Sequence, residues 1–247
     1  MTVAALGALL AVVFGFLWLS SQDTVAETPL RRFTLSTEGT PIHPSISPNG
    51  RHIAYVSGPA NERVLWVQDL DQQQARAVVG PTSLITANSG LSWSPDSQFV
   101  AFQSDDTVLQ KVAASGGPVV TLTELSRSSR SAWTPDGESA IFMSDDIKLH
   151  SVPARGGEAK LWLEAQQEGV MATAPAFFSL DEGTQKFLYG EGKTYLDAQI
   201  IAFDRTTGRR EILAAGGSSV YASSGHVIYN SADPRGAFGP YRSRSTP

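Results

Sequence analysis

The chain contains no cysteine. This excludes a disulfide framework and a thiolate metal site, and leaves the compartment open. Charge is also scarce, at 17% of residues. The 19 Lys and Arg against 24 Asp and Glu give a net charge of −5 without a basic stripe, so nucleic acid is not expected as a partner. No G-x-S-x-G elbow is present, and no cofactor motif occurs, so no cofactor is expected. Beyond residue 19 there is no long apolar run. Turn formers are plentiful instead, with 22 Gly and 14 Pro. A chain of 247 residues is long enough for one large all-β domain with a substantial core.

The first segment differs from everything after it. Val3 to Leu19 carries no charge or strong polar group. As a helix it spans roughly 26 Å, the lower end of the range for crossing a bilayer. Trp18 stands near its end, where an interfacial aromatic is favourable. Three readings stand: an uncleaved membrane anchor, a cleaved signal peptide with Thr24-Val25-Ala26 as a weak cleavage pattern, and a buried core helix. A signal peptide wants a basic n-region that Met1-Thr2 does not supply, so a transmembrane helix with linker is expected over residues 1–28. Arg31 and Arg32 on their own would keep the following side in the cytoplasm.

Internal repetition gives the fold. Five segments align: Pro44 to Tyr55, Leu91 to Phe102, Ser131 to Phe142, Ala176 to Tyr189 and Val220 to Tyr229. Pro48, Pro95 and Pro135 mark the first three turns, and Leu180 and Ser223 take the equivalent places. The spacing of about 43 residues suits one four-stranded propeller blade. In the first three repeats a short strand ends at Ser-Pro or Thr-Pro, where proline supplies no N–H and the ladder stops. Asn49-Gly50, Asp96-Ser97 and Asp136-Gly137 then turn the chain, since Asn, Asp and Gly tolerate positive φ. The next strand alternates apolar and polar residues, which places one face inward.

A third strand is predicted at Val64 to Leu70, Val108 to Ala113, Ile147 to Pro153 and Gln199 to Asp204. Gly-containing turns follow at Ser115-Gly116-Gly117, Arg155-Gly156-Gly157 and Thr207-Gly208. A short fourth strand is predicted at Ala77 to Val79, Val119 to Leu122, Ala159 to Leu163 and Glu211 to Leu213. The expected architecture is an all-β propeller of four-stranded blades, about five repeats over residues 29–230 with the last incomplete, preceded by the N-terminal transmembrane helix.

The S-P-(D/N)-G turn, the I-A-Y or V-A-F strand, the L-W-V-x-D-L strand and the Gly-Gly turn together resemble the TolB-like, WD-type β-propeller repeat over about residues 40 to 230. Arg31-Arg32-Phe33-Thr34-Leu35 after an apolar helix is similar to one arrangement in particular. Bacterial eukaryotic-like serine/threonine kinases often carry such a propeller as an extracytoplasmic sensor beyond their single transmembrane helix. The resemblance implies a propeller outside the cytoplasm that binds a protein or ligand. No kinase motif is present: there is no Gly-rich phosphate loop, no H-R-D and no D-F-G.

Arg32 to Ser36 is a plausible closing strand for the ring. Residues 231–247 are rich in Pro, Arg and Ser without alternation, and read as a disordered tail. Synonymous codons exist for Ala237 to Pro247 whose shifted frame encodes Leu-Trp-Ala-Leu-Pro-Phe-Ser-Leu-Asp-Thr. That peptide resembles the missing third strand of the last repeat, Leu65 to Leu70 in the first. A frameshifted tail is therefore an expectation that the nucleotide sequence tests.

Candidate functional residues come from topology. Loops before each first strand, and between second and third strands, share one face of a propeller. They contribute His43, Asn88, Asp105, Asp106, Arg127, Arg130, Asp145, Asp146 and Lys193 as the predicted binding face. The pairs Asp105-Asp106 and Asp145-Asp146 recur at equivalent places. They read first as polar Ser-Asp-Asp turns, and second as a carboxylate ring for Ca²⁺ or a basic partner. Arg127 and Arg130 read as solvated surface residues, or as receivers of an anion or of those carboxylates. His43, His52, His150 and His226 have no ligand spacing, and no metal site is expected. Trp66, Trp93, Trp133 and Trp162 fall on strands and read as interblade packing.

Three functions follow in order: a membrane-tethered sensor or binding module, a periplasmic protein-interaction scaffold, and a hydrolase or lyase working in the propeller channel. The first two make the chain a non-enzyme, either anchored with its propeller in the periplasm or outside the cell, or exported if the N-terminus is cleaved.

Overall fold

The computed structural model describes residues 35, 37, 39–86, 90–125, 130–144, 148–164, 171–172, 176–177, 186–193, 197–222, 226–231 and 241–242. The chain divides into Met1–Thr34 and Leu35–Pro247, and all described residues lie in the second unit. Val3 to Leu19 falls outside them. Among the described residues no helix is long and apolar enough to cross a membrane. The closing strand expected at Arg32 to Ser36 also lies almost wholly outside them, and Leu35 is not in a strand.

Strands β1 (Ile42–Ile46), β2 (His52–Ser57), β3 (Arg63–Asp69) and β4 (Ala75–Thr82) form the first antiparallel sheet in chain order. The second contains β5 (Ser92–Trp93), β6 (Phe99–Ser104), β7 (Val108–Ala113) and β8 (Val120–Glu124) in the same order. The third contains β9 (Ser131–Trp133), β10 (Ser139–Met143), β11 (Leu149–Pro153) and β12 (Lys160–Leu163). These meanders are propeller blades. The fourth blade has β13 (Met171–Ala172) and β14 (Ala176–Phe177), both paired to β15 (Lys186–Gly192), then β16 (Gln199–Asp204) and β17 (Arg209–Ala222). Strands β18 (His226–Ser231) and β19 (Tyr241–Arg242) continue from β17 as the start of a fifth. Residues 241–242 thus pair at the third-strand place, within the stretch read from sequence as a tail.

The repeated turn is built in the same way in three blades. Ser47 Oγ donates to Asn49 Oδ1 (2.7 Å), which also accepts from the Arg51 N–H (3.0 Å), while the His52 N–H donates to Ser47 Oγ (2.9 Å). Ser94, Asp96, Gln98 and Phe99 repeat this arrangement, as do Thr134, Asp136, Glu138 and Ser139. The left-handed turn position is Gly50 (φ 66°), Ser97 (φ 62°) and Gly137 (φ 71°). Serine tolerates that strain because its buried hydroxyl accepts a hydrogen bond from the Asn49 N–H of the preceding blade at 3.2 Å.

The core lies in the seams between sheets. Ala54, Val56, Leu65 and Val67 of blade 1 pack against Val100, Phe102 and Val112 of blade 2. Ala101, Leu109 and Leu122 meet Trp133, Ala140, Phe142 and Val152, and Ile141, Met143 and Leu149 meet Phe187, Tyr189 and Ile201. Leu188 and Ile200 then meet Val227. Trp93 and Trp133 are buried as interblade packing predicts, and Trp66 and Trp162 are half-buried.

One expectation is corrected. The fourth blade's outer strand is not the short segment Glu211 to Leu213. It is a 14-residue strand, β17, that pairs first with β16 and then with β18. The small residues Gly216-Gly217-Ser218-Ser219 carry a register shift between Gly216 and Ser219, and the ladder resumes beyond it.

Candidate functional site

The sheet register puts the sequence-predicted residues that are described at one end of the sheets. His43 follows Ile42, which pairs with Val56 next to the β2–β3 hairpin. Asp105 and Asp106 form the hairpin between Ser104 and Val108. Arg130 precedes Ser131, the partner of Phe142, and Lys193 follows Gly192, the partner of Met171. Asn88, Arg127, Asp145 and Asp146 lie outside the described residues.

Local geometry braces this end. His43 takes φ 52° at the irregularity in β1 between Ile42 and Ser45. Asp105 and Asp106 are consecutive left-handed residues, with φ 53° and 54°, a conformation that short polar side chains accept better than others. The Asp105 N–H donates to Leu84 O at 2.6 Å, and Thr86 Oγ1 donates to Asp106 Oδ1 at 2.5 Å. Arg63 Nη1 donates to Ile85 O at 3.0 Å, and Ile85 is buried. The connection after β4 is thus tied to hairpins of two blades. The Arg130 side chain lies over Gly90, where an added Cβ would come within 3.2 Å of Arg130 Cγ. The exposed Lys193 ends the row.

Asp105-Asp106 forms a polar turn, and Asp145-Asp146, the other half of the carboxylate-ring reading, lies outside the described residues. Among the described residues no group of three or more His, Asp or Glu is placed to hold a metal ion. Thr86 and Leu84 were not found from sequence. Their only signal was membership of the connection that precedes the second repeat, which topology carries past the neighbouring hairpin.

The other end of blade 1 holds a polar network that the repeat pattern did not disclose. His52 Nδ1 lies 2.5 Å from Asp69 Oδ1, and both terminal nitrogens of Arg76 donate to that carboxylate at 2.9 Å. Arg76 Nε donates to Ala114 O of blade 2 at 2.8 Å. Hydrogen bonds from Arg76 hold the Asp69 carboxyl below its ordinary range, with His52 adding to the effect against desolvation. The His52 ring stacks on Trp93 at 6.0 Å. The Trp93 Nε1–H donates to Ser45 O at 2.9 Å. A His-Asp pair can suggest catalysis, but here the carboxylate is also clamped by arginine, and every bond described joins strands or blades.

A second buried network sits in blade 4. Tyr189 Oη donates to Glu191 Oε2 at 2.8 Å, and Arg210 pairs with the same carboxylate oxygen. The guanidinium also lies over the rings of Tyr189 and Phe203, at 5.4 and 5.9 Å. Burial first, and then the bond to Glu191, push the Tyr189 phenol well above its usual range.

No family model matches the chain. A stretch of 37 residues, 15% of this chain and 9% of the relative, is 62% identical to the Tol-Pal system protein TolB of Chromobacterium violaceum. Among solved structures, TolB from Acinetobacter baumannii superposes with a TM-score of 0.60 at 20% identity, over 78% of this chain and 49% of that one. An oligogalacturonate lyase in complex with manganese superposes with a TM-score of 0.56 at 15% identity, over 80% of this chain and 61% of that one. The chain therefore spans about half the length of the TolB structure it matches. The fold is that of a TolB-like β-propeller.

Proposed function

We propose that this chain is a non-catalytic propeller that recognises a protein or small ligand through the loop end carrying His43, Asp105, Asp106, Arg130 and Lys193. The observation that supports this most is the bracing of that end by Asp105 to Leu84, Asp106 to Thr86 and Arg63 to Ile85. Loops fixed in advance lose little conformational entropy when a partner arrives, and loops on a rigid scaffold are the usual place for recognition. The mixture of two carboxylates with Arg130 and Lys193 suits a polar partner surface of both signs.

The TolB-like fold and the short TolB-like stretch favour a scaffold acting in the periplasm. The finer form of the proposal tethers the propeller to the membrane through Val3 to Leu19 and makes it a sensor, as the kinase-associated resemblance implies. The mature N-terminus separates the two: an intact Val3 to Leu19 in the membrane fraction supports the tethered form, and cleavage after Ala26 supports the exported scaffold.

The test is capture of a partner from envelope extract by crosslinking to the full chain. Alanine at His43, Asp105, Asp106, Arg130 and Lys193 should weaken capture at least tenfold, while alanine at Asp136 on the opposite end leaves it intact. Capture that resists all five loop substitutions overturns the assignment of this face. The lyase likeness supplies a second reading. Cleavage of oligogalacturonate by the purified chain in the presence of manganese would replace binding with catalysis.

A further inference from the structure

Asn49-Gly50 is the one Asn-Gly pair in the sequence, and the repeated turn holds its amide as it holds the carboxylates of Asp96 and Asp136. Its side chain is exposed, and nothing lies within 4 Å of where a Gly50 Cβ would be. The amide oxygen Oδ1 accepts two hydrogen bonds, from Ser47 Oγ at 2.7 Å and from the Arg51 N–H at 3.0 Å. The adjacent Gly50 N–H donates to Ser47 O at 2.8 Å.

We propose that Asn49 is a site of spontaneous deamidation assisted by its own turn, and that the aspartate product preserves the seam between blades 1 and 2. In this reaction the Gly50 nitrogen loses its proton and bonds to Asn49 Cγ. The bond from Cγ to Nδ2 breaks, and the amide leaves as ammonia with a proton from solvent. Water then opens the succinimide to aspartate or isoaspartate, with no oxidant or reductant involved. Negative charge develops on Oδ1 when Gly50 attacks, and the Ser47 hydroxyl and Arg51 N–H already point at that oxygen. Donors fixed where charge appears lower a barrier, as an oxyanion hole does. The opposing restraint is the Gly50 to Ser47 bond, which must open first.

The other blades show what the product does. Asp96 and Asp136 occupy the position of Asn49, and each accepts from the preceding Ser or Thr hydroxyl and from the N–H two residues on. Aspartate at 49 therefore fits the turn as it stands. Isoaspartate inserts a methylene between Cα of residue 49 and the Gly50 nitrogen, which displaces the Gly50 N–H from Ser47 O and loosens the turn whose Asn49 N–H ties it to Ser97 of the next blade.

The experiment is incubation of the full purified chain at mildly alkaline pH, followed by peptide mass mapping and an isoaspartate assay. Asn49 should convert faster than Asn61, Asn88 and Asn230, with a rate that rises with pH. Ser47→Ala should slow it several-fold, and Ser47→Thr, which copies Thr134, should restore it. The Asn49→Asp chain should melt within a few degrees of the unmodified chain. Conversion no faster than at the other asparagines overturns the site, and acceleration by Ser47→Ala overturns the assistance, because the turn is then only protective. An unfolded Asn49→Asp chain overturns the silent product.

Discussion

The seam between blades 1 and 2 and the seam between blades 3 and 4 join the same strands of the same repeat with different chemistry. The first is tied by directional polar contacts: Trp93 to Ser45 O, Arg76 to Ala114 O, and the Asn49 N–H to Ser97. The second is tied by rings. Trp162 lies 4.6 Å from Phe187, which contacts Tyr189 at 5.7 Å and Phe203 at 5.4 Å, and Arg205 caps Trp162 at 5.1 Å. The seam between blades 2 and 3 stands between these, with Trp133 to Ser92 O and the Gly157 N–H to Leu122 O. A propeller thus needs each blade to bury one face against the next, but not by a fixed set of contacts. Apolar burial supplies most of the stability, and polar bonds fix the angle and register.

The sharpest way to break the comparison is to remove the aromatic centre. Phe187→Ala should destabilise by about 3–5 kcal/mol in urea titration, the range for a buried Phe. Glu191→Ala should cost about 3 kcal/mol because it leaves Arg210 partly buried without its carboxylate. Glu191→Ala and Arg210→Met together should cost less than Glu191→Ala alone. Trp93→Phe loses one hydrogen bond and part of the indole packing of the polar seam, so about 1–2 kcal/mol is expected.

Acid should act on the polar seam through Asp69. The folded pKa of Asp69 lies below its ordinary 3.8, so its contribution is full above that value and fades as pH falls through the folded pKa. Asp69→Asn should flatten this acid dependence of stability, whereas Phe187→Ala should leave it in place. The smallest effect is expected for Ser97→Gly, under about 1 kcal/mol, since relief of a positive φ offsets a lost acceptor.

These contrasts also mark how far the sequence could be read. Strand periodicity and turn residues located Val108–Ala113 and Gln199–Asp204 at their observed bounds, because alternation and Ser-Pro-Asp turns are local signals. The loop end followed from blade topology, so His43, Asp105, Arg130 and Lys193 could be assigned to it without coordinates. What joins the blades could not. Asp69 and Arg76 look like ordinary strand charges until the fold brings His52 beside them, and Glu191 sits where the earlier blades have Ser57, Ser104 and Ser144. Contacts over such distances leave no periodic trace.

The unbroken β17 has a consequence for how the molecule comes apart. After β4 the described residues 83–86 and 90–91 belong to no strand, and after β8 neither do 125 and 130. The first of these connections is held by separate bonds such as Asp105 N–H to Leu84 O and not by a ladder. From blade 4 to the β18 hairpin the crossing is itself paired backbone, with the Gly216 N–H donating to Ala198 O at 2.8 Å. Hydrogen-exchange protection should therefore rise and fall together across Gln199–Ala222, as one cooperative unit. A protease should find β17 closed to it, and a tag inserted there should unfold two sheets at once.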